Sequence, residues 1–355
     1  MVSSFSSSSP FITVIVPVRN EERHLGDVLD ALHAQDYPPD RFEVLVVDGQ
    51  SDDDTCALVR HRQRTWANLR LLYNPRRLSS AARNVGVAQA RGDYVLIIDG
   101  HCEIRATNYL SELARVFERR GVESVGRPQP LEIVGASPLQ RTIAAARRSA
   151  LGHNPGSYIY SDEGGPAPPQ SVAIAYRREV FQRVGVFDES FDACEDVEFN
   201  QRLHDAGGRC WFAPQLAVHY RPRASLGGLI VQMMRYGRGR ARLILKHPRT
   251  LSPGPMIPAA FLLTLAGTLT LGLASPLFAA LFCLAALAYS SAVTAAGFGL
   301  AWRARQPELA PLFPAVFLSI HVAAGWGVLA ELGPRLARRL ISRLRPVAWR
   351  MRVFS

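Results

Sequence analysis

From residue 250 to residue 302 the chain carries no Asp, Glu, Lys, Arg or His. As a helix rising 1.5 Å per residue this tract would be about 80 Å long, against a bilayer core of about 30 Å, so it holds two crossings and their connection. The expected spans are 256–274 and 277–300. A further apolar segment, Leu309 to Leu332, is interrupted only by His321 and Glu331 and predicts a third span at 310–332. Charge divides along the same line. Residues 206–355 hold 18 Lys and Arg against only Glu308 and Glu331, a net +16, whereas residues 1–205 carry a net −5. The basic residues flank the apolar tract instead of forming a stripe on a soluble globule, which points to a membrane surface and not to nucleic acid. With 48% hydrophobic residues the composition excludes collagenous, disordered and disulfide-built classes. The cysteines, Cys56, Cys102, Cys194, Cys210 and Cys283, lie far apart with no C-x-x-C pair, so neither a zinc knuckle nor a disulfide framework is expected and a reducing cytosol fits. Residues 1–10 are Ser-rich and lack the features of a signal peptide, so they read as a disordered N-terminus before a domain that is not exported.

From Phe11 onward, short β-branched runs alternate with helical periodicity. Ile12 to Val18 is followed by Leu25, Val28, Leu29 and Leu32 at helical spacing, a strand and an amphipathic helix. The unit recurs as Phe42 to Val47 with a helix from about Asp53 to Trp66, and as Leu69 to Tyr73 with a helix from Ser79 to Ala90. A fourth strand is expected at Tyr94 to Ile98, then a helix at about Thr107 to Arg120. Near-continuous apolar strands alternating with helices imply a parallel sheet covered on both faces, with ligands beyond the carboxyl ends of its strands. Three polar clusters occupy those ends: Arg19-Asn20-Glu21, Asp48-Gly49-Gln50-Ser51-Asp52 and Asp99-Gly100-His101. Further on, 154–156 and 164–169 read as mobile loops, 171–176 as a strand, 178–184 as a helix, 195–203 as a helix and 217–220 as a short strand. Residues 226–250 form a basic amphipathic stretch with Leu229, Ile230, Met233 and Met234 on one side and Arg235, Arg238, Arg240 and Arg242 opposite, the pattern of an interfacial helix.

Taken singly, each polar group has a plain local explanation. Asp-Gly is an ordinary turn dipeptide, acids such as Glu195-Asp196 are favoured at a helix start, and Arg83 in a helix is commonly a solvated face residue. His219 alone reads as a core or surface histidine, and Gln232 to Tyr236 as the polar side of an interfacial helix. Their order and convergence carry the functional reading. Two acidic strand ends on one sheet edge repel unless a cation or the donor groups of a ligand lie between them, and Asp99 with His101 can face one divalent ion.

The ordered series is Val16-Pro17-Val18-Arg19-Asn20-Glu21, Val47-Asp48-Gly49-Gln50-Ser51-Asp52-Asp53, Ala82-Arg83-Asn84-Val85-Gly86, Ile98-Asp99-Gly100-His101, Arg177-Arg178-Glu179-Val180-Phe181 with Val184-Gly185-Val186-Phe187-Asp188-Glu189, and Glu195-Asp196. Over about residues 11–225 it resembles the family 2 glycosyltransferases, which have the GT-A fold, an α/β, Rossmann-like domain with a mostly parallel sheet. The Asp-Gly-His variant, the stretch from Tyr236 to Arg240 and the trailing apolar helices are most similar to the succinoglycan-type exopolysaccharide enzymes of bacteria. Forty of the 41 basic residues are Arg, which fits a GC-rich bacterial genome.

The resemblance implies an inverting, hexosyltransferase-type enzyme that moves a sugar from a nucleotide-diphosphate donor, UDP-linked, to a lipid-linked or polysaccharide acceptor in exopolysaccharide or cell-envelope synthesis. It implies that Pro17, Arg19, Asn20, Glu21, Asp48 and Ser51 hold the nucleoside, and that Arg83, Asn84 and Gly100 line the donor pocket. Asp99 and His101 occupy the place of an Asp-x-Asp motif for Mn²⁺ or Mg²⁺, with His219 as a third ligand. Asp196, beside Glu195, matches the base that takes the acceptor's proton. Gln232, Arg235 and Tyr236 resemble a Gln-x-x-Arg-Trp motif facing diphosphate and acceptor, with Tyr in place of Trp. Two alternatives stay open: a polyprenyl-phosphate sugar synthase, whose phosphate acceptor needs no base, and a non-catalytic nucleotide-binding scaffold.

The expected location is the bacterial inner membrane, multi-pass, with the catalytic domain cytoplasmic and membrane lipids as partners. Three spans would then place residues 335–355 outside, yet Arg335 to Arg352 contains seven arginines and should stay inside. Leu336, Leu340, Ile341 and Leu344 among those arginines suggest a basic amphipathic tail on the inner leaflet.

Overall fold

The computed structural model describes residues 9–152 and 158–351, with side chains described to 335 and at 337 and 338. The chain divides into two units, residues 1–134 with 155–222, and residues 135–154 with 223–355. The segment 135–154, which the sequence reading includes in 11–225, thus belongs with the second unit.

The strands are β1 (Ile12–Val18), β2 (Phe42–Asp48), β3 (Leu69–Tyr73), β4 (Tyr94–Ile97), β5 (Cys102–Glu103), β6 (Ser124–Gly126), β7 (Gly165–Ala167), β8 (Ala173–Arg177), β9 (Cys210–Phe212) and β10 (His219–Tyr220). The helices of the first unit are α1 (Leu25–His33), α2 (Thr55–Arg62), α3 (Ser79–Gln89) and α4 (Tyr109–Arg120), then, after α5 (Pro138–Arg148) of the second unit, α6 (Pro169–Val172), α7 (Arg178–Val184) and α8 (Glu195–Asp205). The large sheet runs β3-β2-β1-β4-β8-β6-β9-β7. The first four strands are parallel, as expected from their alternation with helices. The other half is mixed: β8 is antiparallel to β4 and β6, β9 is parallel to β6, and β7 is antiparallel to β9. Periodicity could not show this, because β6, β7 and β9 are three residues each, too short to display a repeat. The stretch 164–169, expected as a loop, carries the edge strand β7, and 171–172 close a short helix before β8 begins.

Both faces of the sheet are covered. Val14, Val16, Val44, Val46 and Leu96 pack with Leu25, Leu29, Leu110 and Phe117 on one side. Ile15, Leu45, Val47, Val95 and Ile97 pack with Ala82, Phe181 and Phe199 on the other. This is the period-two alternation of a strand buried twice. Gly86 lets α3 lie this close to β1, since a Cβ there would sit 2.5 Å from Ile15 Cγ2. At the amino end of β2 a charge is buried: Glu43 accepts from Thr13 Oγ1 at 2.9 Å and from Arg91 N and Nε at 2.9 and 3.0 Å. Residues 1–8 of the expected disordered N-terminus lie outside the described residues, while Ser9 is buried and its carbonyl accepts from Arg41 Nε at 2.7 Å.

The second unit is helical: α5, α9 (Leu226–Lys246), α10 (Pro253–Gly272), α11 (Pro276–Arg303) and α12 (Phe313–Met351). Three helical segments, Pro253–Gly272, Pro276–Arg303 and Pro307–Arg335, are long and apolar enough to cross a membrane, so the unit is membrane-associated. Leu229 and Met233 of α9, expected to face lipid, are instead buried in a cluster with Phe313, Phe317 and Ile320 of α12 and Ile143 of α5. Helix α12 continues to Met351, but the side chains of Leu336, Leu340, Ile341 and Leu344 lie outside the described residues.

Candidate active site

At the carboxyl end of β1 and β2 the chain turns on two residues in the left-handed region, Asn20 (φ 57°) and Gln50 (φ 62°). Asn tolerates that conformation better than most residues, and the two turns stitch to each other. Asn20 N donates to Ser51 Oγ at 2.9 Å, Asp52 N to Asn20 Oδ1 at 3.0 Å, and Glu21 N to Thr55 Oγ1 at 2.8 Å. Asp48 is buried and accepts from Ser51 N and Oγ. Pro17 is half-buried in β1, and Arg19 is exposed.

The end of β4 joins this corner. His101 Nδ1 lies 2.8 Å from Glu21 Oε1, tying the third polar cluster to the first. Gly100 is needed there, because a Cβ would come within 2.7 Å of Val18 Cγ1. Asp99, partly exposed, accepts from Tyr220 Oη at 2.7 Å on Oδ2 and has Arg83 Nη2 4.0 Å from Oδ1. Burial works to raise its pKa, but Arg83, His101 and the Tyr220 hydroxyl outweigh it and hold the carboxyl below its ordinary range.

His219 is not the residue that meets Asp99. Strand β10 pairs antiparallel with β5, Tyr220 opposite Cys102 and His219 opposite Glu103. Neighbouring residues on a strand point to opposite faces, so with Tyr220 on Asp99, His219 turns the other way. Its Nδ1 is buried with no hydrogen-bond partner, and burial, with Arg105 second, pushes its pKa down. His219, expected as a third metal ligand, is thus not brought together with Asp99 in this structure. Behind Tyr220 lies Arg127, 1% exposed, its guanidinium over the Tyr220 ring at 6.0 Å. Neither Tyr220 nor Arg127 was singled out from the sequence, because which member of the His219-Tyr220 pair faces Asp99 depends on the pairing of β10 with β5.

The acidic pair opens α8 directly after Cys194, which sits at φ 61°. Glu195 is 6% exposed and its Oε1 lies 3.3 Å from Arg83 Nη2, whereas Asp196 is half-exposed. Arg83 therefore stands between the β4 end and the start of α8, with its guanidinium over the Phe187 ring at 5.4 Å. Burial works against its charge, but Glu195, Asp196 and Asp99 together outweigh that and raise its pKa further. Asn84, expected to line the donor pocket, is engaged on both sides of its amide: Nδ2 donates to Phe187 O and Glu189 Oε1, both at 2.9 Å, and Oδ1 accepts from Phe187 N at 2.9 Å. It fixes the loop that carries Phe187 under Arg83.

Gln232, Arg235 and Tyr236 lie on α9, in the second unit, where the Arg240 guanidinium covers the Tyr236 ring at 4.9 Å. Among the described residues no three His, Cys, Asp or Glu side chains gather closely enough to hold an ion by themselves.

Residues 9–239 match the sequence model of a family described as glycosyltransferase like family 2. The chain belongs to this family. It is 33% identical over 261 residues to the succinoglycan biosynthesis protein ExoA of Rhizobium meliloti, covering 73% of this chain and 78% of that protein. It is 29% identical over 239 residues to the glycosyltransferase AglE of Haloferax volcanii, covering 67% and 75%. Among solved structures it is similar to the mannosyltransferase PcManGT of Pyrobaculum calidifontis, solved with GDP-Man and Mn²⁺, at a TM-score of 0.57 and 24% identity over 90% of this chain and 88% of that one. That likeness bears out the GT-A fold, and family membership makes the chain a glycosyltransferase.

Proposed function

We propose that this family 2 glycosyltransferase is an inverting enzyme that transfers a sugar from a nucleotide-diphosphate donor, UDP-linked, to a lipid-linked or polysaccharide acceptor at the cytoplasmic face of a bacterial inner membrane. The observation that carries the reading is the placement of Arg83 between Asp99 and the Glu195-Asp196 pair. It separates the two acids of α8 by environment. Glu195 is buried against Arg83 and holds that cation in place, while Asp196 keeps water-accessible surface and is the member of the pair able to take a proton from an acceptor hydroxyl. The laced corner of Pro17, Arg19, Asn20, Glu21, Asp48 and Ser51 is the nucleoside end, and Gly100 and Arg83 border the diphosphate.

A Mn²⁺ or Mg²⁺ ion fits the chemistry of Asp99: a hard oxygen donor kept ionised, fixed on one side by Tyr220 and partly exposed on the other. Such an ion would neutralise charge on the departing nucleoside diphosphate. Asp99 would hold it, with the Glu21-His101 pair alongside and the remaining positions left to oxygens of the ligand. Gln232, Arg235 and Tyr236 of α9 are assigned to diphosphate and acceptor on the motif alone.

The test is nucleoside diphosphate release by purified protein across a panel of nucleotide sugars with membrane lipid extract, with donor binding measured in parallel. Asp196→Asn is expected to lower turnover by about 10²–10⁴-fold, the range of a positioned base, with donor affinity retained. Full activity of that variant would replace this reading with a phosphate acceptor. Absence of nucleotide-sugar binding by the wild type would replace it with a non-catalytic role.

A further inference from the structure

The seven arginines after Glu331 and the three apolar helices cannot all be placed comfortably by counting spans, and the packing inside the second unit offers another solution. Helices α10 and α11 form an antiparallel hairpin: Phe261 stacks near Tyr289 with centroids 4.7 Å apart, and Gly272 lies against Ala279. These two pairs fix which residues share a level. The backbone of helix α12 comes closest to this hairpin near its base, and higher up the long Tyr289 side chain reaches it, Oη lying 2.9 Å from His321 Nδ1. Phe313 packs into the space left at Gly297, and Gly325 packs against the carbonyl of Pro258. On the hairpin, Gly297 is level with the first residues of α10, so Pro258 stands about 7 Å further along, at 1.5 Å per residue. Over the same interval α12 advances about 18 Å along its own axis. A third span packed on the hairpin would climb by most of its own length. Helix α12 instead runs obliquely across both hairpin helices, far beyond the usual tilt of about 20° for a spanning helix.

Its surroundings agree. The two hairpin helices bury almost none of their most apolar stretches, 6% each, whereas 44% of the corresponding stretch in Pro307–Arg335 is buried. The helices that cover it carry arginines. Helix α9 lies against α12 so closely that Gly237 and Gly327 leave no room for a Cβ, and Arg242 of α9 pairs with Glu331 at 3.0 Å. Helix α5, with Arg141 and Arg147, joins the same apolar cluster through Ile143 and Ala146, and the carbonyl of Leu151 lies 2.8 Å from His321 Nε2. If residues 313–335 crossed the bilayer, these helices and their arginines would be carried into its core, where each charge is costly. The remaining face of α12 is a single apolar stripe, Leu318, Val322 and Trp326, 49%, 37% and 56% exposed and spaced one helical turn apart.

We propose that the chain crosses the membrane twice, through α10 and α11, and that α12 lies along the membrane surface at the base of that hairpin, with Leu318, Val322 and Trp326 in lipid and α9 and α5 on its aqueous side. The occupant of the exposed stripe is the acyl boundary of the bilayer. Pro258, where α12 passes, lies about 7 Å into α10, within the 5–10 Å depth of interfacial helices. Arg249, Arg303, Arg305 and the arginines from Arg335 to Arg352 then share one side of the membrane, and the far turn of the hairpin, which has no charged residue, takes the other. The conflict between span number and tail charge disappears.

The test uses full-length protein in lipid nanodiscs on a background with its five cysteines replaced, chosen to keep wild-type thermal unfolding. Single spin labels at positions 318, 322 and 326 report depth from the ratio of oxygen to water-soluble nickel collisions. A helix on the surface puts all three within about 4 Å of one depth, whereas a crossing helix spreads them over about 12 Å, eight residues of rise. In a second arm, protease-cleavable tags are fused before Met1 and after Ser355 and probed in sealed vesicles of known orientation. Cleavage of both tags from the same side is expected. A graded depth series, or tags cleaved from opposite sides, would overturn the proposal.

Discussion

Replacing Arg83 by Met leaves Glu195, 6% exposed, without the cation 3.3 Å from it. Removing one partner of a buried ion pair costs about 3–5 kcal/mol, because the remaining charge is left out of water without compensation. In a folding unit of about 200 residues each kcal/mol moves the unfolding temperature by about 2–4 °C, so Arg83→Met should unfold about 6–20 °C below wild type. Glu195→Gln removes the other partner, but Arg83 still has Asp99 at 4.0 Å and the field of Asp196, so the drop should fall at the low end of that range. The informative variant is the double one. With both partners gone no charge is stranded, and it should lie close to the milder single variant, a coupling as large as the Arg83→Met effect itself, about 3–5 kcal/mol. The assay is thermal unfolding in detergent, with amide exchange of the 195–205 peptide as a local readout. If the two single effects simply add in the double variant, Arg83 and Glu195 do not act as a pair, and the division of labour between Glu195 and Asp196 fails with it.

Tyr220→Phe removes the hydroxyl that fixes Asp99 and should weaken Mn²⁺-dependent donor binding at least tenfold, since a hydrogen bond to a charged group is worth about 1.5–3 kcal/mol. His219→Ala, on the opposite face of β10, should change it less than twofold; calorimetric titration with the reverse ranking would restore His219 as the ligand. The buried carboxyl of Glu43 gives a pH test: burial works to raise its pKa, but hydrogen bonds from Arg91 and Thr13 outweigh it and lower it. A depressed folded pKa contributes stability above the unfolded value, about 4.3, and loses it as pH falls through the folded one. Glu43→Gln should therefore melt well below wild type at pH 7, with the gap closing below pH 4; a gap that is constant with pH would assign the loss to packing.

Strong local signals carried the parallel half of the sheet. Ile12–Val18, Phe42–Asp48 and Tyr94–Ile97 are apolar at nearly every position, and each is followed or preceded by a helix with a clear period, so their order and direction follow from chain connectivity. The polar corner at their ends was legible for the same reason, since residues that directly follow a strand of known direction must lie at its carboxyl end. The mixed half was not, because Ser124–Gly126, Gly165–Ala167 and Cys210–Phe212 are strands only by virtue of their neighbours.

The sequence by itself determined the family, the strand-end clusters and the existence of a membrane unit, because each rests on short runs of neighbouring residues and on their order along the chain. Only the tertiary structure decided which polar residues meet across it. Register, not composition, turns Tyr220 and not His219 onto Asp99, the partners lying 121 positions apart in the chain. The bridge from Asp99 through Arg83 to Glu195 joins three separate elements, and no spacing rule reaches across them. The course of α12 was hidden for a similar reason: hydropathy sums a segment's own residues, whereas crossing a bilayer or lying on it depends on what packs against each face, here the glycine contacts that bring the arginines of α9 alongside.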